Sequence, residues 1–383
     1  MGFNAYHILF CSILLLAVFY QLAGRIKLAV GNHGAYLRSF VFAAICIIFI
    51  LFCGLAGDIS SDHSSYVRIF NNISGIEISS FLTPDYQISS VEKGYGLIMW
   101  IIAKLGGEPV WIFLVSAALT IIPIAYLAYK TSDPCMFLVL YLGFGNYFDS
   151  FNVIRQVIVG GVLVLSMQYI IKSEFWKFLI IDLIFSTIHI SALLMIPFYF
   201  LLRSKPGIKT TSIQCILILL FSIGFYRILN VFDTTFFDGK YFNSGRIDLG
   251  NEVIQVIVPV VLFVLSEILI YSHRMNKIGL MGRFNFEDKN GATVQKYAGT
   301  FYNVLWNGSI YWIMFWVFTL RFSYLRRLTY FFLPLILYIL TEGMAEIKNK
   351  NSRLIVKAFV LVTVIIYYFC FGQYFDSYIL FSQ

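Results

Sequence analysis

Three ionisable residues stand in or beside long apolar runs. Arg155 opens FNVIRQVIVGGVLVLSMQYII, His189 lies midway along FLIIDLIFSTIHISALLMIPFYFLL, and Arg321 closes IYWIMFWVFTLRF. An ionisable side chain within a span costs roughly 2.5–3.5 kcal/mol by insertion scales, so such residues usually face a polar cavity and mark function. Arginine is permanently charged, and its planar fork matches phosphate oxygens in pairs. A neutral imidazole can take or orient a hydroxyl proton near neutral pH. Together these types suit a site that binds an anion, such as a phosphate or a sugar acid, and orients or deprotonates a hydroxyl. Each also has a structural reading: Arg155 can snorkel to the interface, and His189 can serve as a helix–helix hydrogen-bonding residue.

Polar neighbours accompany them. Asn152 and Gln156 share a helical face with Arg155, and Ser186, Thr187 and Ser191 flank His189. Gly160-Gly161, one turn on from Arg155, permits close helix approach. Asp58, Asp62 and Tyr66 are spaced four apart, which on a helix gives one face. Glu92-Lys93-Gly94-Tyr95 places a second carboxylate at the mouth of another apolar run. Either carboxylate can accept a proton from a sugar hydroxyl; the alternative is a solvated loop face.

The elements that must hold these residues are membrane helices. The chain of 383 residues is 59% apolar and 13% charged, about half the charge of a soluble protein. Apolar runs long enough to cross a hydrocarbon core of about 30 Å recur from end to end. The expected fold is an all-α polytopic membrane protein with about twelve spans, near 4–23, 39–57, 94–106, 109–129, 135–149, 153–171, 178–201, 211–231, 252–271, 298–320, 327–345 and 354–373. Residues 1–383 read as a single transmembrane domain. The first run has no basic leader and no small-residue cleavage site, so it reads as a retained span. Spans 94–106 and 135–149 are short, and tilted or re-entrant segments need cover from protein or water.

Charge orients the spans. Segments 25–38, 203–209, 273–296 and 346–357 each carry a net charge of +3, which places them in the cytoplasm. Segment 58–93 has five acids against two bases, and 232–251 has three against two; these are the two large non-cytoplasmic loops. Segment 321–327 is the exception. It carries Arg321, Arg326 and Arg327, yet parity places it outside. Either a span nearby is miscounted, or these arginines bind an anion there. Counting every span puts 149–152 inside; if one short span only dips into the membrane, Arg155 faces outside.

Other classes are disfavoured. The net charge of +8 is accounted for by basic cytoplasmic loops rather than by nucleic acid. The six cysteines are scattered with no C-x-x-C pair, which supports neither a disulfide framework nor a metal site. No Walker lysine motif, H-E-x-x-H or G-x-S-x-G occurs. No cofactor is expected. Asn72 and Asn307 fit the glycosylation sequon, as chance matches do.

From Asp58 to about Tyr338 the chain resembles the EpsG-type branch of the O-antigen and capsule polymerases, the Wzy proteins. The resemblance is carried by Asp62 and Tyr66; by Glu92, Gly94 and Tyr95; by Arg155 and Gln156; by His189, Ser191 and Ala192; and by Arg321, Tyr324, Tyr330 and Phe331. The late motif departs from the family pattern in having Leu325-Arg326-Arg327 before its aromatics, and the C-terminus lacks the Tyr-Pro-Tyr often seen there.

The resemblance implies a fold similar to the GT-C membrane glycosyltransferases. It implies a polymerase of the bacterial inner membrane that joins undecaprenyl-diphosphate-linked oligosaccharides on the outer face, for O-antigen, capsule or exopolysaccharide. A chain-length regulator and a flippase in the same membrane would be its partners. In that reading His189 is the first candidate for the base, followed by Asp62 or Glu92. Arg155 and Arg321 stabilise the leaving diphosphate without a metal, and direct displacement inverts the anomeric centre. Asp58, Tyr66, Tyr95, Asn152, Gln156, Ser191, Tyr324, Arg326 and Arg327 would bind substrate. Two other classes fit similar features: a flippase for lipid-linked oligosaccharides, and a membrane acyltransferase with His189 as base.

Overall fold

The computed structural model describes residues 5–24, 33–57, 61–79, 91–144, 146–236, 249–272, 281, 284, 295–320 and 323–371. Asp58, Arg321, residues 58–60 and 80–90 of loop 58–93, and residues 237–248 of loop 232–251 lie outside the described residues. The described residues form helices, with no β-strand element among them. In order, the helices are α1 (Ala5–Ala23), α2 (His33–Gly54), α3 (Ser61–Ser74), α4 (Lys93–Lys104), α5 (Pro109–Tyr129), α6 (Pro134–Gly143), α7 (Asn146–Asp149) and α8 (Ile154–Lys172). They continue with α9 (Phe175–Ser186), α10 (Met195–Arg203), α11 (Ile208–Phe236), α12 (Leu249–Ser272), α13 (Gln295–Thr319), α14 (Thr329–Ala345) and α15 (Lys350–Phe371). Single 3-10 turns cover Ile190–Leu194 and Ser323–Leu328.

Among the described residues, six stretches are long and apolar enough to cross a bilayer: Ala5–Ala23, Gly34–Gly54, Pro109–Tyr129, Ile154–Lys172, Leu325–Ala345 and Lys350–Cys370. The chain is therefore a multi-pass helical membrane protein. The expected spans 211–231 and 252–271 fall on the long apolar helices α11 and α12, of 29 and 24 residues, whereas 94–106 falls on the 12-residue α4. The run at 135–149 is divided between α6 and α7. The run at 178–201 is broken at Thr187–His189. The break coincides with local competition for backbone acceptors. The Ser186 and Thr187 hydroxyls donate to the Leu183 and Ile184 carbonyls, taking up acceptors of the last turn of α9. His189, expected midway along a span, instead has extended backbone (φ −155°, ψ 129°) between α9 and the 3-10 turn.

The chain forms two compact units. One comprises residues 1–196, 282–284 and 347–383; the other comprises 197–281 and 285–346. In the first unit, α5 packs against both α2 and α8. Gly161 allows the α5–α8 approach, since a Cβ there would sit 3.0 Å from Pro123 Cγ. Thus the glycine pair beside Arg155 is a packing device. The polar α3 lies along α4, tied by Trp100 Nε1 to the Ile76 carbonyl at 2.8 Å and by Lys104 Nζ to the Ser74 carbonyl at 3.3 Å. With 12 residues, α4 is about 18 Å long, short of the hydrocarbon thickness.

In the second unit, α14 packs against α12 and α13 and is buried from Thr329 to Met344. Phe198, Tyr311, Phe315 and Phe332 form an aromatic cluster there. Asn307 Nδ2 reaches the carbonyls of Leu201, Leu202 and Ser204 at 2.9–3.3 Å, satisfying orphan acceptors at the end of α10. Asn307 is fully buried, so its sequon is not a surface acceptor.

Candidate active site

The site is assembled from four segments of the first unit. Arg155 lies in the first turn of α8, and the bend before it is anchored to α2. Tyr147 Oη donates to the Phe49 carbonyl at 2.7 Å, and Ser150 Oγ lies 3.3 Å from Cys53 Sγ. The Tyr147 ring packs on Phe49, Phe148 and Phe151. These contacts set where α8 begins, and therefore where Arg155 projects.

Glu92 is the N-cap residue of α4, with extended backbone. Its side chain makes no cap bond; it turns instead to partners from distant segments. Arg155 Nη1 pairs with Oε2. His189 Nδ1 lies 2.5 Å from Oε1, and the Ile190 amide donates to the same oxygen at 3.2 Å. Burial works against ionisation of this carboxyl. The His189 hydrogen bond and the Arg155 charge outweigh it and hold the pKa down at about 2. Glu92 is therefore a carboxylate at any working pH, and so weak a base that it is a poor proton acceptor. Among the sequence candidates for base, this argues for His189 over Glu92.

The same carboxylate fixes the imidazole. An ionised carboxylate can only accept, so Nδ1 carries the proton that points at Oε1. In the neutral ring Nε2 then keeps its lone pair, the arrangement that a carboxylate–histidine pair presents to a substrate hydroxyl. The His189 side chain retains 25% exposure, Glu92 24% and Arg155 21%, so the cluster is open on one side.

Gly94 makes the meeting possible. Its amide donates to the Thr187 carbonyl at 2.9 Å, joining the first turn of α4 to the break before His189. A Cβ at Gly94 would lie 2.1 Å from Thr187 Oγ1. The glycine of the Glu-x-Gly-Tyr motif is thus required for close approach.

Tyr66, on α3, completes the cluster. Arg155 Nε donates to Tyr66 Oη at 3.1 Å, and the guanidinium lies 5.8 Å from the ring centroid. Burial pushes the Tyr66 hydroxyl pKa up, Arg155 opposing it, so the phenol keeps its proton. Asp62, one turn earlier, acts on Tyr66 through its charge. Tyr95 is fully buried, its hydroxyl 2.9 Å from Ser116 Oγ and its ring edge-on to Tyr66 at 5.8 Å; it supports Tyr66 from behind. Asn152 Oδ1, Gln156 Oε1 and Ser191 Oγ are buried without a hydrogen-bond partner among the described residues. They belong to the segments that carry Arg155 and His189, and such groups usually have a partner.

The structure thus brings together Tyr66, Glu92, Arg155 and His189, with Asp62 and Tyr95 against Tyr66. Arg326 and Arg327 belong to the second unit, in the 3-10 turn Ser323–Leu328, where the Arg326 guanidinium lies 5.6 Å from the Trp316 ring centroid. The side chain of Tyr324 lies outside the described residues. Sequence reasoning missed the Ile190 amide and the Thr187 carbonyl; backbone groups leave no residue-type signal. Among the described residues no three His, Cys, Asp or Glu side chains gather as a metal site.

The fold defines a multi-pass helical membrane protein in which an arginine and a histidine share one carboxylate. More narrowly, the chain belongs to the EpsG family, whose model matches residues 39–381. That membership makes it a polysaccharide polymerase-type membrane protein, glycosyltransferase-like in its coarse class. No curated protein and no solved structure matches it.

Proposed function

We propose that this protein joins undecaprenyl-diphosphate-linked oligosaccharide repeat units on the outer face of the bacterial inner membrane. The product would be an O-antigen, capsule or exopolysaccharide. One observation carries the reading: Glu92 binds an arginine and a histidine at once. Such a site pairs a group that can steady a leaving diphosphate with one that can take a proton.

In the reaction, the acceptor sugar hydroxyl loses its proton to His189 Nε2 while its oxygen attacks the anomeric carbon of the donor. The bond from that carbon to the diphosphate oxygen breaks, and the configuration inverts. Arg155 uses two of its five N–H groups on Tyr66 and Glu92; the others are available for phosphate oxygens. Arg321, in the one basic loop on the outer side by charge parity, supplies a second positive group. Neither role needs a metal.

The pairing of Arg155 with Glu92 supports the outward orientation. Glu92 belongs to the acidic segment 58–93, and a residue bonded to it shares its side of the membrane. This follows if α4, too short to cross, and the run 178–201, broken at Thr187–His189, are both left out of the span count; segments 203–209, 273–296 and 346–357 then stay cytoplasmic and 321–327 stays outside. A chain-length regulator and a flippase in the same membrane would serve this reaction.

The test is polymer length on gels from strains carrying Arg155→Ala, His189→Ala or Arg321→Ala, with membrane expression checked. Single repeat units should accumulate on the outer face. Normal ladders from the Arg155 and His189 variants would overturn the site. Units trapped on the inner face would indicate a flippase, and unchanged length with altered acetylation an acyltransferase.

A further inference from the structure

The second unit contains a groove that the polymerase reading does not use. Its volume is about 650 Å³, and its lining includes Lys205, Lys296, Tyr271, Tyr302, Asn303 and Trp306. That volume suits a small ligand. We propose that this groove holds the phosphate headgroup of an anionic phospholipid of the cytoplasmic leaflet.

The argument starts with charge. Lys205 and Lys296 come from segments 91 positions apart in the chain, yet they line one concavity, and among the described residues its lining holds no acidic side chain. Both lie in segments of net charge +3, which the positive-inside rule assigns to the cytoplasm. Anionic lipids concentrate in that leaflet, and basic pockets between spans there suit their headgroups.

The remaining lining matches the interface. Tyr271, Tyr302 and Trp306 supply flat amphipathic rings of the kind enriched at headgroup depth. Apolar surface continues beyond the mouth. Ile208 lines the groove and is 92% exposed, and on the same helix Ile213, Ile216, Leu217 and Leu220 are exposed. A headgroup between the lysines would leave its acyl chains along α11.

The wall is built rather than loose. Asn303 Nδ2 donates to the Arg203 carbonyl at 3.2 Å, Asn307 Nδ2 to the Ser204 carbonyl at 2.9 Å, and Gln214 Nε2 to Ser204 Oγ at 2.5 Å. These bonds fix the segment that leads into Lys205, so the site is preorganised and loses less entropy on binding.

The experiment uses the full-length chain in nanodiscs of phosphatidylcholine doped with phosphatidylglycerol brominated on its acyl chains. Quenching of tryptophan fluorescence reports lipid contact, and Trp306→Phe isolates the groove's share. The saturable part of the wild-type quenching should be lost in Trp306→Phe, the exposed Trp111 and Trp176 giving a non-saturating background. Lys205→Ala/Lys296→Ala should require about tenfold more anionic lipid, whereas Lys205→Arg/Lys296→Arg should not. Should the double alanine variant fail to fold, the two single variants each give the shift. Brominated phosphatidylcholine quenching the groove equally well would overturn the proposal. So would equal quenching in the alanine variants, or displacement by inorganic phosphate or a soluble isoprenyl diphosphate at the same concentration.

Discussion

Asn307 and Glu92 are each the hub of a polar cluster inside an apolar helical protein, and they spend hydrogen-bonding capacity in opposite ways. Asn307 is fully buried, and its amide nitrogen goes to backbone carbonyls at the end of α10. Glu92 keeps 24% exposure and gathers two side chains that retain donor or acceptor capacity of their own. A polar group that serves the fold is sealed from its surroundings and spends its donors on backbone carbonyls. One that serves chemistry is paired on one side and left open on the other.

Substitutions should separate the two. The largest effect on polymer synthesis is expected from His189→Ala, a loss of about 10²–10⁴-fold, with near-normal thermal stability in detergent. Glu92→Gln should follow with about 10²–10³-fold, since it keeps the shape but leaves Arg155 unneutralised and no longer dictates the imidazole proton. Full polymer length from Glu92→Gln would erase the contrast. Gly94→Ala should cost about 1–3 kcal/mol of stability through overpacking on Thr187, together with activity, because it pushes Glu92 from His189. Asn307→Ala should lower stability by about 1–3 kcal/mol and leave the activity of correctly folded protein unchanged, measured per folded molecule.

The smallest effect is pH-dependent. The folded Glu92 pKa, about 2, lies below its ordinary value of 4.5. Its stabilisation is therefore complete above about pH 4.5 and is lost as pH falls toward 2. The difference in melting temperature between wild type and Glu92→Gln should shrink as pH falls below about 4.5 toward 2.

Much of this was legible beforehand in residue types. Arg155, Glu92, Tyr66 and His189 stand out because charge in apolar sequence is costly, whatever the fold. Their convergence was not legible, because Glu92 and His189 are 97 positions apart and periodicity carries no long-range contact. The run 178–201 read as one span because hydropathy averages over a window. The serine and threonine hydroxyls that bond the last carbonyls of α9 act within a single turn. The short run 94–106 already read as a segment that need not cross, and the 12 residues of α4 agree.

Arg155 is moored twice, to Tyr66 through Nε and to Glu92 through Nη1. A guanidinium held in that way cannot travel with the group it grips. If it steadies the leaving diphosphate, its grip must break when the lipid carrier departs, and the fork returns to the same position for the next donor. The moving part of such a polymerase is then the glycan: each turnover slides a longer chain past a stationary cation, as thread passes a fixed guide.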